Sequence, residues 1–278
     1  MIKAISYWSM QKGIEGTHPI EEALDDARRE GFAALELCIA PQGAFHVEMS
    51  QSQCQDMRRQ ADDKGVIVQT VASGMSWAVN PSSEDRATRE KSIEIHAAAL
   101  QRTAWVGASA MLFVPGVVKS PISADVSRYD HVVARAKEAV KRLLETAEKV
   151  GVDLCVENVW NGLFYSPLEL ADFIDSFKSD RLGIYFDVGN VLGYHQHPPH
   201  WIEILGRRIK RIHIKDFKEK VGSLDGFCDL LDGDVPWPQS MAALRAIGYD
   251  KTIVAEMMPW DQTLLQRTSM AMDKILVM

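Results

Sequence analysis

Cysteine is scarce in this chain, and the few cysteines present do not suggest a disulfide framework. Only four of the 278 residues are cysteines, at positions 38, 54, 155 and 228, and no two of them form a CxxC pair. The N-terminus shows neither the basic region nor the cleavage site of a signal peptide, so we expect reduced thiols in a cytoplasmic protein. No apolar run is long enough for a membrane span, so no membrane partner is expected.

Basic charge is also in short supply. The chain has 31 Lys and Arg against 38 Asp and Glu, a net charge of −7. A partner such as a nucleic acid needs a basic surplus to neutralise its phosphates, so no nucleic-acid partner is expected. The hydrophobic content of 46% is ample for the core of one large domain that spans residues 1–278.

What the chain does have is a regular alternation of strand and helix patterns. Apolar, β-branched runs predict eight strands, at 2–6, 32–38, 66–72, 110–114, 152–157, 182–187, 210–215 and 252–256. Amphipathic stretches predict helices between them, near 19–30, 50–64, 83–105, 129–149, 167–178, 198–206, 237–247 and 261–275. Eight such βα units predict a single-domain α/β fold, the (β/α)₈ TIM barrel. The alternative, an open doubly wound sheet, is disfavoured because no glycine-rich phosphate fingerprint follows the first strand.

Four predicted strands end in a side chain that can bind a metal. These are Glu157, Asp187, His213 and Glu256, about 25 to 45 residues apart. That spacing is roughly one βα unit, and in a barrel of this kind the chemistry lies at the C-terminal ends of the strands. Three carboxylates and one imidazole suit Mg²⁺ or Mn²⁺ and also admit Co²⁺ or Zn²⁺. The sequence therefore predicts one divalent metal ion held by these four residues.

Several segments around these residues resemble those of a known superfamily. They are VEN at 156–158, FDVGN at 186–190, HIKD at 213–216, GDVPW at 233–237 and AEM at 255–257. Together they resemble the xylose-isomerase-like sugar phosphate isomerase/epimerase superfamily. The resemblance is closest to the L-xylulose-5-phosphate 3-epimerase and hexulose-6-phosphate isomerase type, and more distant to D-tagatose 3-epimerase. It covers the second half of the chain well, and the first half mainly in its βα rhythm.

The resemblance implies a role for each strand-end residue. All four would bind the metal, and Glu157 and Glu256 would also be the catalytic proton-transfer groups. A proton next to a ketone is very weakly acidic, so a carboxylate removes it only if the developing enediolate is stabilised, as a bound metal ion would do. Two carboxylates on opposite sides of a sugar then allow epimerisation. We therefore expect a metal-dependent epimerase or isomerase of a ketose or ketose phosphate.

Five further residues are candidate substrate contacts. Lys215, Glu36, Trp77, Trp160 and Asn190 all lie at or just after predicted strand ends. Each also has a structural interpretation: the lysine could pair with a neighbouring aspartate, and the tryptophans could pack in the core or against a second copy in a homo-oligomer.

Two differences from D-tagatose 3-epimerase-like enzymes and one group of lysines bear on whether the substrate is charged. D-tagatose 3-epimerase-like enzymes carry a histidine where this chain has Asn190 and an arginine where it has Glu219. Lys215, Lys218 and Lys220 could instead bind a phosphate, since barrel phosphate sites often follow strands seven and eight.

Other functions remain open at this stage. A keto-sugar or inosose dehydratase or lyase would begin with the same proton abstraction at the same metal site. An endonuclease of the endonuclease IV type shares the barrel but needs three zinc ions, and the first four strands offer only Glu36 as a further ligand. A non-catalytic sugar-binding barrel would bind metal without turnover.

Overall fold

Eight parallel strands close into a barrel in the computed structural model, which describes residues 1–278 without a gap. In chain order they are β1 Ile2–Ser6, β2 Ala34–Ile39, β3 Thr70–Ser73, β4 Ala110–Phe113, β5 Asp153–Glu157, β6 Leu182–Asp187, β7 Ile209–Ile214 and β8 Thr252–Ala255. Each strand pairs with its neighbours in sequence, and β1 pairs with β8 to close the wall. The predicted (β/α)₈ barrel is confirmed.

A long helix follows each strand and covers the outside of the barrel. These helices are α1 Ile20–Arg29, α2 Gln51–Lys64, α3 Arg86–Trp105, α4 Tyr129–Val150, α5 Pro167–Asp175, α6 Pro198–Leu205, α7 Trp237–Ala246 and α8 Leu264–Val277. Gly65 and Gly151 end α2 and α4 in the left-handed conformation, which glycine adopts without steric cost. None of the helices is long and apolar enough to cross a membrane, and all four cysteines are free.

The structure departs from the predicted elements in a few places. The third strand begins at Thr70 rather than residue 66, because Ile67 makes only an isolated bridge to Ala34 at the rim of the barrel. Two small antiparallel hairpins were not predicted. One pairs Lys119–Ser120 with Ser123–Val126, and the other pairs Asp216–Phe217 with Phe227–Cys228. Both belong to the loops at the C-terminal ends of the strands, where they form part of the candidate site.

Candidate metal centre and substrate cavity

The four predicted metal ligands lie together at the C-terminal end of the barrel. Glu157 ends β5, Asp187 ends β6, His213 lies near the end of β7, and Glu256 directly follows β8. Because these four strands are consecutive in the wall, their inward-facing side chains converge. One ligand atom from each residue lies within 4.8 Å of the others, and all four residues are buried.

This geometry fits a single divalent ion. Metal–ligand distances of roughly 2.0–2.6 Å place ligands on opposite sides of an ion about 4–5 Å apart, and the observed separations stay within that limit. Three buried ligand atoms, Asp187 Oδ2, His213 Nδ1 and Glu256 Oε2, have no hydrogen-bond partner. Buried polar atoms without hydrogen bonds are costly. Ion pairs with Lys215 compensate the two carboxylate oxygens in part, and a bound divalent cation would coordinate all three atoms.

The imidazole of His213 is oriented from below by Glu36. His213 Nε2 lies 2.7 Å from Glu36 Oε1, and both side chains are fully buried. The other carboxylate oxygen of Glu36 accepts a hydrogen bond from the hydroxyl of Tyr185. A proton on Nε2 leaves Nδ1 free as the metal ligand, which is how metal-bound histidines are commonly held. Glu36 therefore lies beneath the metal ligands and does not line the cavity where a substrate contact was predicted.

Asp187 is held by hydrogen bonds that occupy only one of its carboxylate oxygens. It caps the short helix Val188–Leu192, and its Oδ1 accepts the backbone N–H of Asn190 at 2.9 Å. The side chain of Asn158 bonds both the N–H and the C=O of Asp187, each at 2.8 Å. These contacts fix the backbone and leave Oδ2 directed towards the other ligands.

Lys215 lies inside the cluster. Strand alternation places it on the same inner side as His213, and its Nζ lies 3.1 Å from Asp187 Oδ2 and 2.6 Å from Glu256 Oε2. At these distances the ammonium forms an ion pair with each of the two carboxylates. The predicted pairing of this lysine with Asp187 is therefore present. One ammonium balances only part of the charge of three carboxylates.

The carboxyl groups of the cluster respond differently to this environment. Burial raises the pKa of Glu157 to about 7, and it also raises the pKa of Asp187. Burial acts in the same direction on Glu256, but the ammonium of Lys215 and the ring of His213 outweigh it and lower the pKa of Glu256 to about 2. A bound divalent cation would favour the ionised form of all three carboxyl groups, because opposite charge stabilises it.

A cavity of about 720 Å³ opens above the cluster. Glu157 and Glu256 form its floor, and the predicted contacts Trp77, Trp160, Asn190 and Lys215 all line it. Trp160 is fixed in place because its Nε1 donates to Asn190 O at 2.9 Å. A Cβ at Gly193 would lie only 2.0 Å from its ring, so this close approach requires glycine.

Other lining residues were not anticipated from the sequence. Trp8, Ser73, the hairpin residue Ile122 and Phe227 come from loops and strand ends, several in the first half of the chain. Their only sequence signal was their position after a predicted strand. The predicted lysine cluster does not form, because Lys218 and Lys220 are exposed outside the cavity.

The fold agrees with the comparisons to known proteins. The chain matches the family described as Xylose isomerase-like TIM barrel over residues 24–272. Because this match covers most of the chain, the protein belongs to that family. The predicted superfamily is thereby confirmed.

Individual relatives give the match more detail. D-psicose 3-epimerase of Ruminiclostridium cellulolyticum is 23% identical over 257 residues, which cover 90% of this chain and 81% of that protein. The solved D-psicose 3-epimerase with D-tagatose from Clostridium cellulolyticum H10 superimposes with a TM-score of 0.81 at 19% identity, covering 99% of both chains. The IOLI protein, solved with a bound zinc atom, has a TM-score of 0.79 at 12% identity and covers 99% of this chain and 98% of its own. The two 3-epimerases are isomerase-class enzymes.

Proposed function

We propose that this protein is a divalent-metal-dependent epimerase or isomerase that acts on a ketose or a related keto-sugar. The observation that carries the proposal is the pair of buried glutamates, Glu157 and Glu256, on the floor of the cavity. They come from β5 and β8, on either side of Asp187 and His213 in the wall. A sugar bound between them would meet a carboxylate from two directions.

The four strand-end residues would hold the metal. When bound, the ion supplies a Lewis acid that polarises a ketone and makes the neighbouring C–H acidic. One glutamate accepts that proton, and the other glutamate donates a proton to the opposite face of the same carbon. The result is inversion of one stereocentre with no net gain or loss of atoms. Since the reaction is reversible, each glutamate is base in one direction and acid in the other.

Relatives named as D-psicose 3-epimerases support this assignment. The oxygen-rich ligand set favours Mn²⁺ or Mg²⁺, while the imidazole also allows Co²⁺ or Zn²⁺. Reconstitution of the metal-free protein with each ion, followed by activity measurement, would identify the metal. The cytoplasmic location and a homo-oligomeric state stay predictions from the sequence.

Proton exchange with solvent tests the proposal directly. Metal-loaded protein incubated with ketoses in D₂O should place deuterium on a carbon next to the carbonyl, and the epimer should accumulate. Glu157→Gln and Glu256→Gln should each nearly abolish accumulation of the epimer while the fold is retained, because an amide is close in shape but a very poor base. The remaining glutamate would exchange a proton on only one face of the sugar. Glu203→Gln, at an exposed position on α6, is the matched control.

Two results would change the assignment. Substantial accumulation of the epimer with either glutamine variant would rule out the assigned proton transfer. Loss of water or of another leaving group from the substrate would identify a dehydratase or lyase that uses the same proton abstraction.

A further inference from the structure

The cavity is larger than a simple ketose requires. At about 720 Å³ it lies in the range of roughly 300–1,000 Å³ that encloses drug-sized ligands. Its floor is formed by the buried Glu157 and Glu256, and its outer part is formed by loops with partly exposed side chains. A sugar held over the two glutamates would therefore leave the outer part of the cavity free for another group.

The outer part offers no charge to bind a phosphate. Glu157, Glu256 and Lys215 are the only charged side chains that line the cavity. The lysine is the single cation, and it already makes ion pairs with two carboxylates of the metal cluster. A phosphate in the outer part would therefore meet no free cationic side chain among the lining residues.

The outer part is also poor in hydrogen-bonding groups. Thirteen of the 22 residues that line the whole cavity are hydrophobic. Among the uncharged polar residues, Asn190 already uses its side-chain N–H₂ to bond Asn158 O. Ser73 Oγ is buried, lines the cavity and has no partner, so it can bond one substrate hydroxyl. A second sugar unit would bury many hydroxyls and leave most of them without partners.

Four exposed apolar side chains surround the mouth of the cavity. Ile14, Ile122, Leu224 and Met258 are 60%, 53%, 41% and 42% exposed, and all four line it. They belong to four different loops, which follow β1, β4, β7 and β8. Exposed apolar residues are ordinary when scattered, but when they gather at one opening they indicate a binding surface.

We propose that the substrate is a keto-sugar that carries an uncharged, apolar substituent at the end remote from its carbonyl. The sugar would lie over Glu157 and Glu256, and the substituent would contact the four apolar residues at the mouth. This inference rests on the proposed function for the reacting end of the substrate. For the other end of the substrate, the inference rests on the low charge and low polarity of the outer part of the cavity.

A matched series of substrates tests the proposal. The series is a ketohexose, its 6-phosphate and its 6-O-benzyl ether, which differ only in the group on one oxygen. Burial of a phenyl-sized group should make kcat/KM for proton exchange about 10- to 100-fold higher for the ether than for the free sugar. The phosphate should react more slowly than either. A preference for the phosphate, or equal rates for the ether and the free sugar, would overturn the inference.

One variant and its control connect this preference to the mouth. Ile122→Asp should reduce the ratio of ether to free-sugar kcat/KM to near one, because it places a charge against the substituent. Ile204→Asp, at a similarly exposed position on the outer helix α6, should leave the ratio unchanged. An unchanged ratio in Ile122→Asp would contradict the proposed contact. If the wild type is a dimer that Ile122→Asp dissociates, the mouth is an interface between copies and the inference is also wrong.

Binding measurements separate this inference from the proposed function. Trp8, Trp77 and Trp160 line the cavity, so tryptophan fluorescence of the metal-loaded protein can follow titration with the same three sugars. Tighter binding of the ether in the absence of proton exchange on any sugar would support the inference and refute the proposed function. Proton exchange on all three sugars with no tighter binding of the ether would support the proposed function and refute the inference.

Discussion

Glu36 is not one of the candidate metal ligands, but removal of its carboxylate should weaken metal binding through His213. The hydrogen bond from His213 Nε2 to Glu36 Oε1 is 2.7 Å long and fully buried. A hydrogen bond to a charged group contributes about 1.5–3 kcal/mol, and since about 1.4 kcal/mol corresponds to a tenfold change, Glu36→Leu should raise the Kd for Mn²⁺ about 10- to 100-fold. That range agrees with the usual effect of losing a residue that orients a metal ligand, also about 10- to 100-fold.

Isothermal titration of metal-free protein with Mn²⁺ would measure this effect, with circular dichroism to verify that the variant is folded. Tyr185→Phe is the control, because it removes the second partner of Glu36 but keeps the contact to His213. Its effect should be smaller. A folded Glu36→Leu variant that binds Mn²⁺ as tightly as the wild type would refute the reasoning. An increase in KM with unchanged metal affinity would instead favour the substrate contact predicted from the sequence.

Three further predictions concern the cluster and a distant buried histidine. Asp187→Asn should weaken metal binding, and added metal should partly restore its activity, whereas no recovery at saturating metal would contradict a ligand role. Lys215→Met should lower the melting temperature of the metal-free protein, because breaking a buried ion pair costs about 3–5 kcal/mol. It should also tighten metal binding, since the lysine no longer competes for the carboxylates, and equal metal-induced thermal shifts in variant and wild type would count against this. Burial lowers the pKa of His96 from 6.5 to about 4, so the unfolded chain takes up a proton that the folded protein does not. Above pH 6.5 the histidine is neutral in both states, so its protonation does not affect stability. Between pH 6.5 and 4 the free energy of unfolding should fall by about 3 kcal/mol. Denaturant unfolding across this range should show the loss in the wild type and not in His96→Leu.

The barrel and the convergence of the four candidate metal ligands could be predicted because their sequence signals are local. Each strand is a short apolar run, and the period of two along a strand determines which side chains share a face. An apolar strand that ends in Glu157 or Asp187 is unusual in itself, whatever lies elsewhere in the chain. Once eight βα units are recognised, the parallel closure brings consecutive strand ends together. The convergence of the four ligands then follows without any knowledge of loop structure.

The depth of Glu36 in the barrel could not be predicted from the sequence. Its predicted place near the end of the second strand indicated that it faces the barrel interior, and it does. In the structure, however, it is the third residue of β2 and not its last. Its depth relative to His213, 177 residues away in the chain, depends on the stagger of the strands around the closed barrel. A shift of two residues along the strand keeps the same face and separates a side chain near the cavity from one that lies beneath a candidate ligand. No local pattern records that shift.

The lysines after β7 illustrate the same limit for charge. In the sequence, Lys215, Lys218 and Lys220 form one basic cluster. In the folded chain the hairpin that begins at Asp216 leaves the last two exposed, while Lys215 enters the carboxylate cluster. Proximity in sequence therefore did not predict proximity in space.

The sequence by itself predicted the class of fold and the convergence of four candidate metal ligands, two of them glutamates suited to proton transfer. These depend on residue type and strand periodicity, which are properties of short segments. Only the tertiary structure decided what Glu36 and Lys215 contact, how large the cavity is and how apolar its mouth is. Those properties arise from loops such as the hairpin with Ile122. Their placement depends on packing between segments that are far apart in the chain, which no single segment encodes.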